Sequence, residues 1–126
     1  MEPRTSEGSV MAKKLQEAIS WHPDAKARGL QIELQKWMET YELSGDTKWW
    51  TADEFYSGKH VDFDEPPHLV LTFEGDLHRV IYGPPDLPRI DWYRERRKEF
   101  DAIVERHRYW YEIEDNVTMC FMPTDD

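Results

Sequence analysis

Residues 109–122 read YWYEIEDNVTMCFM, and apolar and polar side chains alternate along both halves of this stretch. Such alternation predicts two β-strands joined by a tight turn. A two-residue loop at Asp115-Asn116 would place glutamates among the apolar side chains of one face. A three-residue loop, residues 114–116, instead gives one continuous apolar face and uses Asn116, which tolerates a left-handed backbone. We therefore predict a β-hairpin with the pairs Ile113–Val117, Tyr111–Met119 and Tyr109–Phe121.

Two more alternating segments lie earlier in the chain, at residues 69–73 (LVLTF) and 77–82 (LHRVIY). The Gly75-Asp76 pair between them is typical of a two-residue hairpin turn. One register turns a single apolar face toward the core, so these segments predict a second hairpin. His78 then lies on the core face, where we favour a buried, hydrogen-bonded histidine over a general base. The predicted pairs are Phe73–His78, Leu71–Val80 and Leu69–Tyr82.

Apolar residues at helical spacing predict three helices. The first begins at Met11 and is interrupted by Pro23, and the second is capped by Asp24. The third is capped by Asp91 and covers about residues 92–107. The apolar stripe of the second helix is Leu30, Leu34, Trp37, Met38 and Tyr41, and that of the third is Tyr93, Phe100, Ile103, Val104 and His107.

The predicted order is two N-terminal helices, a hairpin, a helix and a hairpin (α-α-β-β-α-β-β). This order is typical of an α+β fold, in which an antiparallel sheet carries helices on one face. Residues 1–10 predict a flexible N-terminus or a leader foreign to the protein, and residues 11–126 predict a single α+β domain. Residues 46–68 predict a long loop with a helical turn, in which Thr51 and Glu54 form a capping box.

Composition narrows the class of protein further. Aromatic residues make up 13% of the chain, which argues against disorder. The only cysteine, Cys120, cannot form an internal disulfide, so we expect a reduced, cytoplasmic protein. No apolar run approaches the roughly 18 residues of a membrane span. A net charge of -10 disfavours nucleic acid and anionic membranes as partners, whereas it suits a basic protein.

The negative charge is concentrated in two segments. Residues 42–65 carry seven acids against two bases, and residues 109–126 carry five acids and no base. Both segments are rich in Trp, Tyr, Phe and Met. A surface of this kind favours binding of a basic protein, because charge speeds the encounter and rigid aromatic side chains supply contact area. The predicted partner-binding residues are Trp49, Trp50, Asp53, Glu54, Phe55, Tyr56, Asp62, Asp64 and Glu65, with a second patch at Trp110, Glu112, Glu114 and Asp115.

Other polar clusters have simpler interpretations. In an extended segment, His60, Asp62 and Asp64 would project from one side, and His68 could add a second nitrogen ligand for a divalent metal. This spacing matches no specific motif, so we interpret it as a solvated acidic loop and predict no cofactor. His22 and His107 are predicted at helix ends, where a structural role suffices. The basic residues of the third helix alternate with acids and indicate a solvated face: Arg94, Arg96, Arg97, Lys98, Arg106 and Arg108.

Catalytic sequence motifs are absent. The chain has no glycine-rich phosphate loop, nucleophile elbow, Cys-x-x-Cys pair or His-Glu-x-x-His helix, so we do not expect an enzyme. Its small size and acidity resemble those of bacterial immunity proteins and of phage inhibitors that mimic DNA, a likeness of composition alone. That resemblance implies an inhibitor, as a monomer or homodimer, of a basic toxin such as a nuclease. The alternatives are a small metal-dependent enzyme centred on His60, Asp62, Asp64 and His68, or an oligomeric structural subunit.

Overall fold

The computed structural model describes residues 19, 21–56, 67–83 and 89–124. Four strands of these residues form one antiparallel sheet in the order β1-β2-β4-β3. The strands are β1 (Thr47–Trp50), β2 (Leu69–Phe73), β3 (Tyr109–Asp115) and β4 (Thr118–Pro123). The helices are α1 (Ala25–Thr40), α2 (Ala52–Phe55), α3 (Leu77–Tyr82) and α4 (Ile90–Arg106). The α+β class is confirmed, although the order of elements along the chain differs from the predicted one.

Helix α1 begins where the sequence predicts. Asp24 is the N-cap, and its carboxylate oxygen Oδ2 accepts a hydrogen bond from the Ala27 N–H at 3.1 Å. The helix ends at Thr40, and Tyr41 occupies the C-cap. Most of the helix predicted before it, residues 11–22, lies outside the described residues. The buried side chains of α1 include Leu30, Leu34, Trp37 and Met38, four of the five in its predicted apolar stripe, and the fifth, Tyr41, is half-buried at the C-cap.

The main core lies between one face of the sheet and helices α1, α3 and α4. Phe100 of α4 is fully buried at its centre. Its ring centroid lies 5.7 Å from that of Trp37 on α1 and 6.4 Å from that of Phe121 on β4. Leu77, on α3, belongs to the same cluster. Burial of several large apolar side chains, at about 1.5–3 kcal/mol each, is what fixes the helices to this face.

The hairpin predicted at residues 69–82 is wrong. Residues 77–82 form helix α3, and β2 pairs instead with β1 and β4, so that Leu71 lies opposite Trp49 and Met119. The His78 N–H donates to the Gly75 carbonyl oxygen, which closes a helical turn where the hairpin turn was expected. Buried side chains at Leu77, Val80 and Ile81 follow helical spacing. None of the predicted pairs Phe73–His78, Leu71–Val80 and Leu69–Tyr82 forms.

The stretch predicted as a loop contains an additional strand. Residues 47–50 form β1 at one side of the sheet, and α2 follows it directly. The capping box that begins α2 is confirmed: Thr51 Oγ1 accepts from the Glu54 N–H at 3.1 Å, and Glu54 accepts from the Thr51 N–H at 2.9 Å. Two reciprocal hydrogen bonds of this kind hold a four-residue helix that is too short to be stable on its own.

The second hairpin, β3–β4, forms with the predicted apolar face but with a shifted register. Tyr111 pairs with Phe121 and Ile113 with Met119, two residues along from the predicted partners, and a bulge separates Ile113 from Asp115. The turn lies at residues 116–117, where Asp115 Oδ1 accepts from the Val117 N–H at 3.0 Å. A shift of two residues keeps every side chain on its own face, whereas a shift of one would not.

Helix α4 begins earlier than predicted. Its N-cap is Arg89, without a side-chain hydrogen bond, and Asp91 lies in the first turn instead of capping the helix. Phe100, Ile103 and Val104 are buried as expected. The helix is held to α1 by a hydrogen bond from Trp37 Nε1 to Glu99 Oε1 at 3.0 Å. Two contacts of Glu33, with Arg106 and with His107, join α1 to the other end of α4.

Replacing the capping residue of α1 should destabilise the fold. The substitution Asp24→Ala is expected to lower the free energy of unfolding by about 1 kcal/mol near neutral pH, measured by urea denaturation. Asp76→Ala is the matched control, because Asp76 precedes α3 and makes no side-chain capping hydrogen bond. The control should change the free energy of unfolding by less than about 0.5 kcal/mol. Equal losses in the two variants would contradict the capping role of Asp24.

The effect of Asp24→Ala should also depend on pH. The Ala27 N–H stabilises the carboxylate and lowers the pKa of Asp24, and the nearby His68 acts in the same direction. A group with a lowered folded-state pKa stabilises the fold above its ordinary pKa, about 4 for aspartate, and loses that contribution as pH falls through the folded-state value. The stability difference between the wild type and Asp24→Ala should therefore be full at neutral pH and shrink in acid. A difference that grows in acid would contradict this sign.

Candidate functional site

The second face of the sheet, opposite α1 and α4, carries its own small cluster. Val70 on β2 and Cys120 and Met122 on β4 are buried there, although no long helix of the described residues covers them. Side chains of a strand alternate between the two faces, so these residues point away from the main core. Among the described residues, three half-buried aromatic side chains pack against this cluster, Trp50, Phe55 and Tyr56.

These three aromatic side chains form a row of perpendicular contacts. The Trp50 and Phe55 ring centroids are 5.6 Å apart at 74°, and those of Phe55 and Tyr56 are 4.9 Å apart at 86°. Edge-to-face packing is the favoured arrangement for aromatic pairs. The capping box starts α2 directly after β1, and α2 thereby places Phe55 over the sheet. The capped helical turn that the sequence predicts therefore positions this row of aromatic side chains.

Tyr56 joins the two acidic segments of the chain. Its hydroxyl donates to the Glu114 carboxylate, at 2.8 Å from each oxygen, across 58 positions of sequence. Burial raises the pKa of Tyr56, and the nearby thiol of Cys120 and carboxylate of Glu114 raise it further. The tyrosine therefore stays protonated and acts as a hydrogen-bond donor at all physiological pH values. This contact brings α2 and β3 onto one surface.

The register of β3 places three outward side chains on the same face. Trp110 lies opposite Met122 and Glu112 lies opposite Cys120, both of which face away from the main core. Trp110 is 45% exposed, and the glutamates are exposed as well. Together with the α2 region they form what we call the acidic aromatic surface: Trp50, Asp53, Glu54, Phe55, Tyr56, Trp110, Glu112 and Glu114.

One side chain already shows how this surface holds a cation. The ammonium group of Lys48 on β1 lies 4.0 Å from the centroid of the Trp50 ring. That distance is well within the range of a cation–π interaction, which contributes about 0.5–1 kcal/mol at an exposed site. The Trp50 ring is held in place by its Nε1–H, which donates to Thr72 Oγ1 at 3.1 Å. A fixed indole ring is therefore able to hold an ammonium group on this surface.

The sequence-predicted anchor Trp49 does not fit this role. It is only 4% exposed, and its ring lies 6.1 Å from that of Phe121 in the main core. Its Nε1–H donates to the buried Gln35 side chain at 2.9 Å. Trp49 and Trp50 are neighbours on a strand, so one must face the core and the other the second face. Asp115 is exposed, but its carboxylate shapes the hairpin turn.

The remaining predicted site residues divide into two groups. Asp62, Asp64 and Glu65 lie outside the described residues, as does His60 of the alternative metal site. His68 is described, and both of its ring nitrogens have partners: Nδ1 contacts the Tyr109 hydroxyl at 2.5 Å, and Nε2 lies 3.3 Å from Asp24 Oδ2. Burial lowers the pKa of His68. Among the described residues, no group of three or more His, Cys, Asp or Glu side chains could hold a metal ion.

The other histidines have structural positions. His22 is buried before α1, and its Nδ1 accepts from the Asp24 N–H at 3.0 Å. His107 is the C-cap of α4, as its predicted place at a helix end implies. His78 lies on α3 and not on a strand, with its ring 4.4 Å from that of Tyr82. The two residues that sequence reasoning missed are Lys48 and Met122, which alternation along β1 and β4 would have placed on the second face.

Comparison of the chain with protein-family models, with curated proteins and with solved structures gives no match. The function must therefore be argued from the geometry of the acidic aromatic surface itself. Within the described part of the chain, no helix combines the length and the apolar character needed to cross a membrane.

Truncation of Trp49 and truncation of Trp110 should lower the free energy of unfolding by very different amounts. Trp49→Ala should lower the free energy of unfolding by about 3–5 kcal/mol, because it leaves a large cavity in the core. Trp110→Ala, at a half-exposed position, should change it by less than about 1 kcal/mol. Chemical denaturation of both variants measures the difference. A Trp110→Ala variant as unstable as Trp49→Ala would show that Trp110 is a packing residue and not part of a free surface.

The lone thiol should be unreactive in the folded protein. Burial raises the pKa of Cys120 to about 11, and the neighbouring Glu114 and Glu112 carboxylates also raise it. Because the thiolate is the reactive form, iodoacetamide should modify Cys120 at least about 100-fold more slowly in the native protein than in urea at the same slightly alkaline pH. Mass spectrometry of timed aliquots measures both rates. Equal rates would mean that the cover formed by Tyr56 opens freely.

Proposed function

We propose that the protein binds a basic protein through the acidic aromatic surface and inhibits it. The single observation that carries this proposal is the contact between Tyr56 and Glu114, which unites two acidic segments that are far apart in sequence. Among the described residues, the acids Asp53 and Glu54 of the first segment are thereby brought to the same face as Glu112 and Glu114 of the second. A concentrated field of one sign steers an oppositely charged partner.

The composition of this surface also supports a protein partner. Trp110 offers an exposed aromatic ring beside the Glu112 carboxylate, which is the combination typical of interface hot spots. Lys48, the base on this face, is engaged with the ring of Trp50. A partner's lysines and arginines would find exposed carboxylates at Asp53, Glu54 and Glu112, and indole faces on which to stack.

The class of partner follows from the charge. A patch of carboxylates occupies the place that phosphates would take in a basic groove, so a nuclease or another enzyme of nucleic acids is the favoured target. A toxin of that kind acts on the cell that makes it unless an inhibitor is present. The protein is accordingly proposed to act in the bacterial cytoplasm as an immunity protein, by occluding the active site or substrate groove of such a toxin.

The test begins with capture of the partner and continues with quantitative binding. Tagged protein is expressed together with the product of the neighbouring gene, and retained proteins are identified by mass spectrometry. Association and dissociation rates are then measured for the wild type, for Trp110→Ala and for the double variant Asp53→Lys/Glu112→Lys. These two acids are chosen because they are exposed and their removal leaves the Tyr56–Glu114 contact intact.

The two variants should weaken binding through different rate constants. Trp110→Ala is expected to weaken binding about 30-fold, mainly through faster dissociation, as at a hot spot. The charge reversal is expected to slow association about tenfold at low salt and to flatten its salt dependence. The matched control is Glu95→Lys/Glu105→Lys on α4, which changes the net charge equally on the other side of the sheet.

The control decides between a specific surface and a general effect of charge. It should keep both rates within about twofold of the wild type at moderate salt, because charges beyond about 8 Å are largely screened at physiological ionic strength. If no basic protein is retained, or if the control weakens binding as much as Asp53→Lys/Glu112→Lys, the proposal is wrong. The mass in solution of the isolated protein tests the alternative of an oligomeric structural subunit.

A further inference from the structure

A groove lies between α3 and α4, on the side of the molecule away from the acidic aromatic surface. Its volume is about 440 Å³, within the range of small-molecule sites. One wall is the end of α3, and the other is the first half of α4. The lining residues are Val80, Ile81, Tyr82, Gly83, Ile90, Tyr93, Arg94, Arg97 and Lys98.

The floor and the edge of the groove differ in chemistry. Val80 and Ile81 are almost fully buried and close the floor, with Ile90 and Tyr93 half-buried beside them. Tyr82 is 46% exposed, and its ring forms a fixed wall because it stacks on His78 at 4.4 Å and its hydroxyl donates to the Asp115 carbonyl oxygen. Basic side chains of α4 complete the lining. Among the residues that line the groove, none is acidic.

The three basic side chains are not equivalent. Arg97 is fully engaged, because it donates to the Ile81 carbonyl oxygen at 2.5 Å and pairs with Asp101 at 3.4 Å. It thus ties α4 to the end of α3 and gives the groove a fixed shape. Arg94 and Lys98 are exposed and form no hydrogen bond or ion pair with the described residues. They lie four residues apart on a helix and so project from the same side.

We propose that this groove binds an anionic amphiphile, a small molecule with a carboxylate and an apolar chain or ring. The carboxylate is held by Arg94 and Lys98, and the apolar part lies on Val80, Ile81, Ile90 and Tyr93. Two cations without partners among the described residues, above an apolar floor, are complementary to this class of ligand and to neither a neutral nor a cationic one. The proposal does not rest on the proposed inhibitor function. The two sites meet at one point, where the Tyr82 hydroxyl donates to the Asp115 carbonyl oxygen at 3.3 Å, next to Glu114.

The overall negative charge does not prevent such binding. Charges separated by more than about 8 Å are largely screened at physiological ionic strength, so the nearest groups decide the local field. Asp101 already accepts hydrogen bonds from Arg97 and, at 2.6 Å, from the Tyr111 hydroxyl. The acids nearest in sequence to Arg94 and Lys98 are Asp91, Glu95 and Asp101, and none of the three is among the described residues that line the groove.

Calorimetric titration with decanoate, below its micelle concentration, tests the proposal. Decanol and decyltrimethylammonium serve as neutral and cationic probes with the same chain. The variant Arg94→Gln/Lys98→Gln removes both free cations, and Lys36→Gln/Arg79→Gln is the control with the same change in net charge, because neither of its side chains lines the groove. Unfolding midpoints and near-ultraviolet circular dichroism verify that both variants are folded.

The expected result is saturable binding of one decanoate per chain. Arg94→Gln/Lys98→Gln should weaken it at least about tenfold, as expected for the loss of charge-assisted hydrogen bonds, while the control stays within about twofold. Amide chemical shifts should move at Ile90 and Tyr93. If the double variant does not fold, Lys98→Gln alone, compared with Lys36→Gln, should weaken binding about threefold. The proposal is overturned if decanoate does not saturate, if decanol or the cation binds as tightly, or if the control loses as much.

Discussion

The fold depends on the position of β2 as an inner strand that is buried on both faces. Leu69, Leu71 and Phe73 face the main core, while Val70 on the other face is equally inaccessible to solvent. A strand of this kind needs a neighbour on each side and apolar cover above and below. Strand β1 and strand β4 supply the neighbours, and the long helices cover one face. The second face lacks a long helix among the described residues, so its cover comes from α2 and its aromatic side chains.

The aromatic side chains that cover the second face contribute both to stability and to the proposed binding role. The aromatic side chains of α2 are needed to shield Val70 and Cys120 from water, yet they remain only half-buried. On the same face of the sheet, the exposed side chains of Trp110 and Glu112 lie outside the main core. Because Tyr56 uses its hydroxyl to hold Glu114, the same residue that covers the cluster also fixes a carboxylate at the surface. Pre-organised contacts of this type reduce the entropy lost on binding.

Local chemistry could be predicted from the sequence, whereas pairing between distant strands could not. The N-cap Asp24 and the Thr51–Glu54 capping box depend on residues three positions apart, and both are confirmed. The prediction of a hairpin at residues 69–82 failed because LHRVIY satisfies strand and helix spacing alike. Strand β2 pairs with β1 on one side and β4 on the other, so residues 77–82 have no place beside it. The same missing strand explains Trp49: without β1, nothing in the pair Trp49-Trp50 showed which ring faces the core. The convergence of two acidic segments was likewise beyond sequence, since it depends on β1 pairing with β2 and on β2 pairing with β4.

The distribution of ion pairs on α4 explains how an acidic protein presents the two proposed sites of opposite sign. Arg96 pairs with Glu99 at 2.9 Å and Arg97 with Asp101 within α4, and Arg106 pairs with Glu33 of α1. These pairs engage three basic side chains of the helix, and Arg94 and Lys98 remain at the groove. The helices that line the groove pack on the main-core face of the sheet, whereas the acidic aromatic surface lies on the other face. Each of the two proposed sites is therefore surrounded mainly by charges of its own sign.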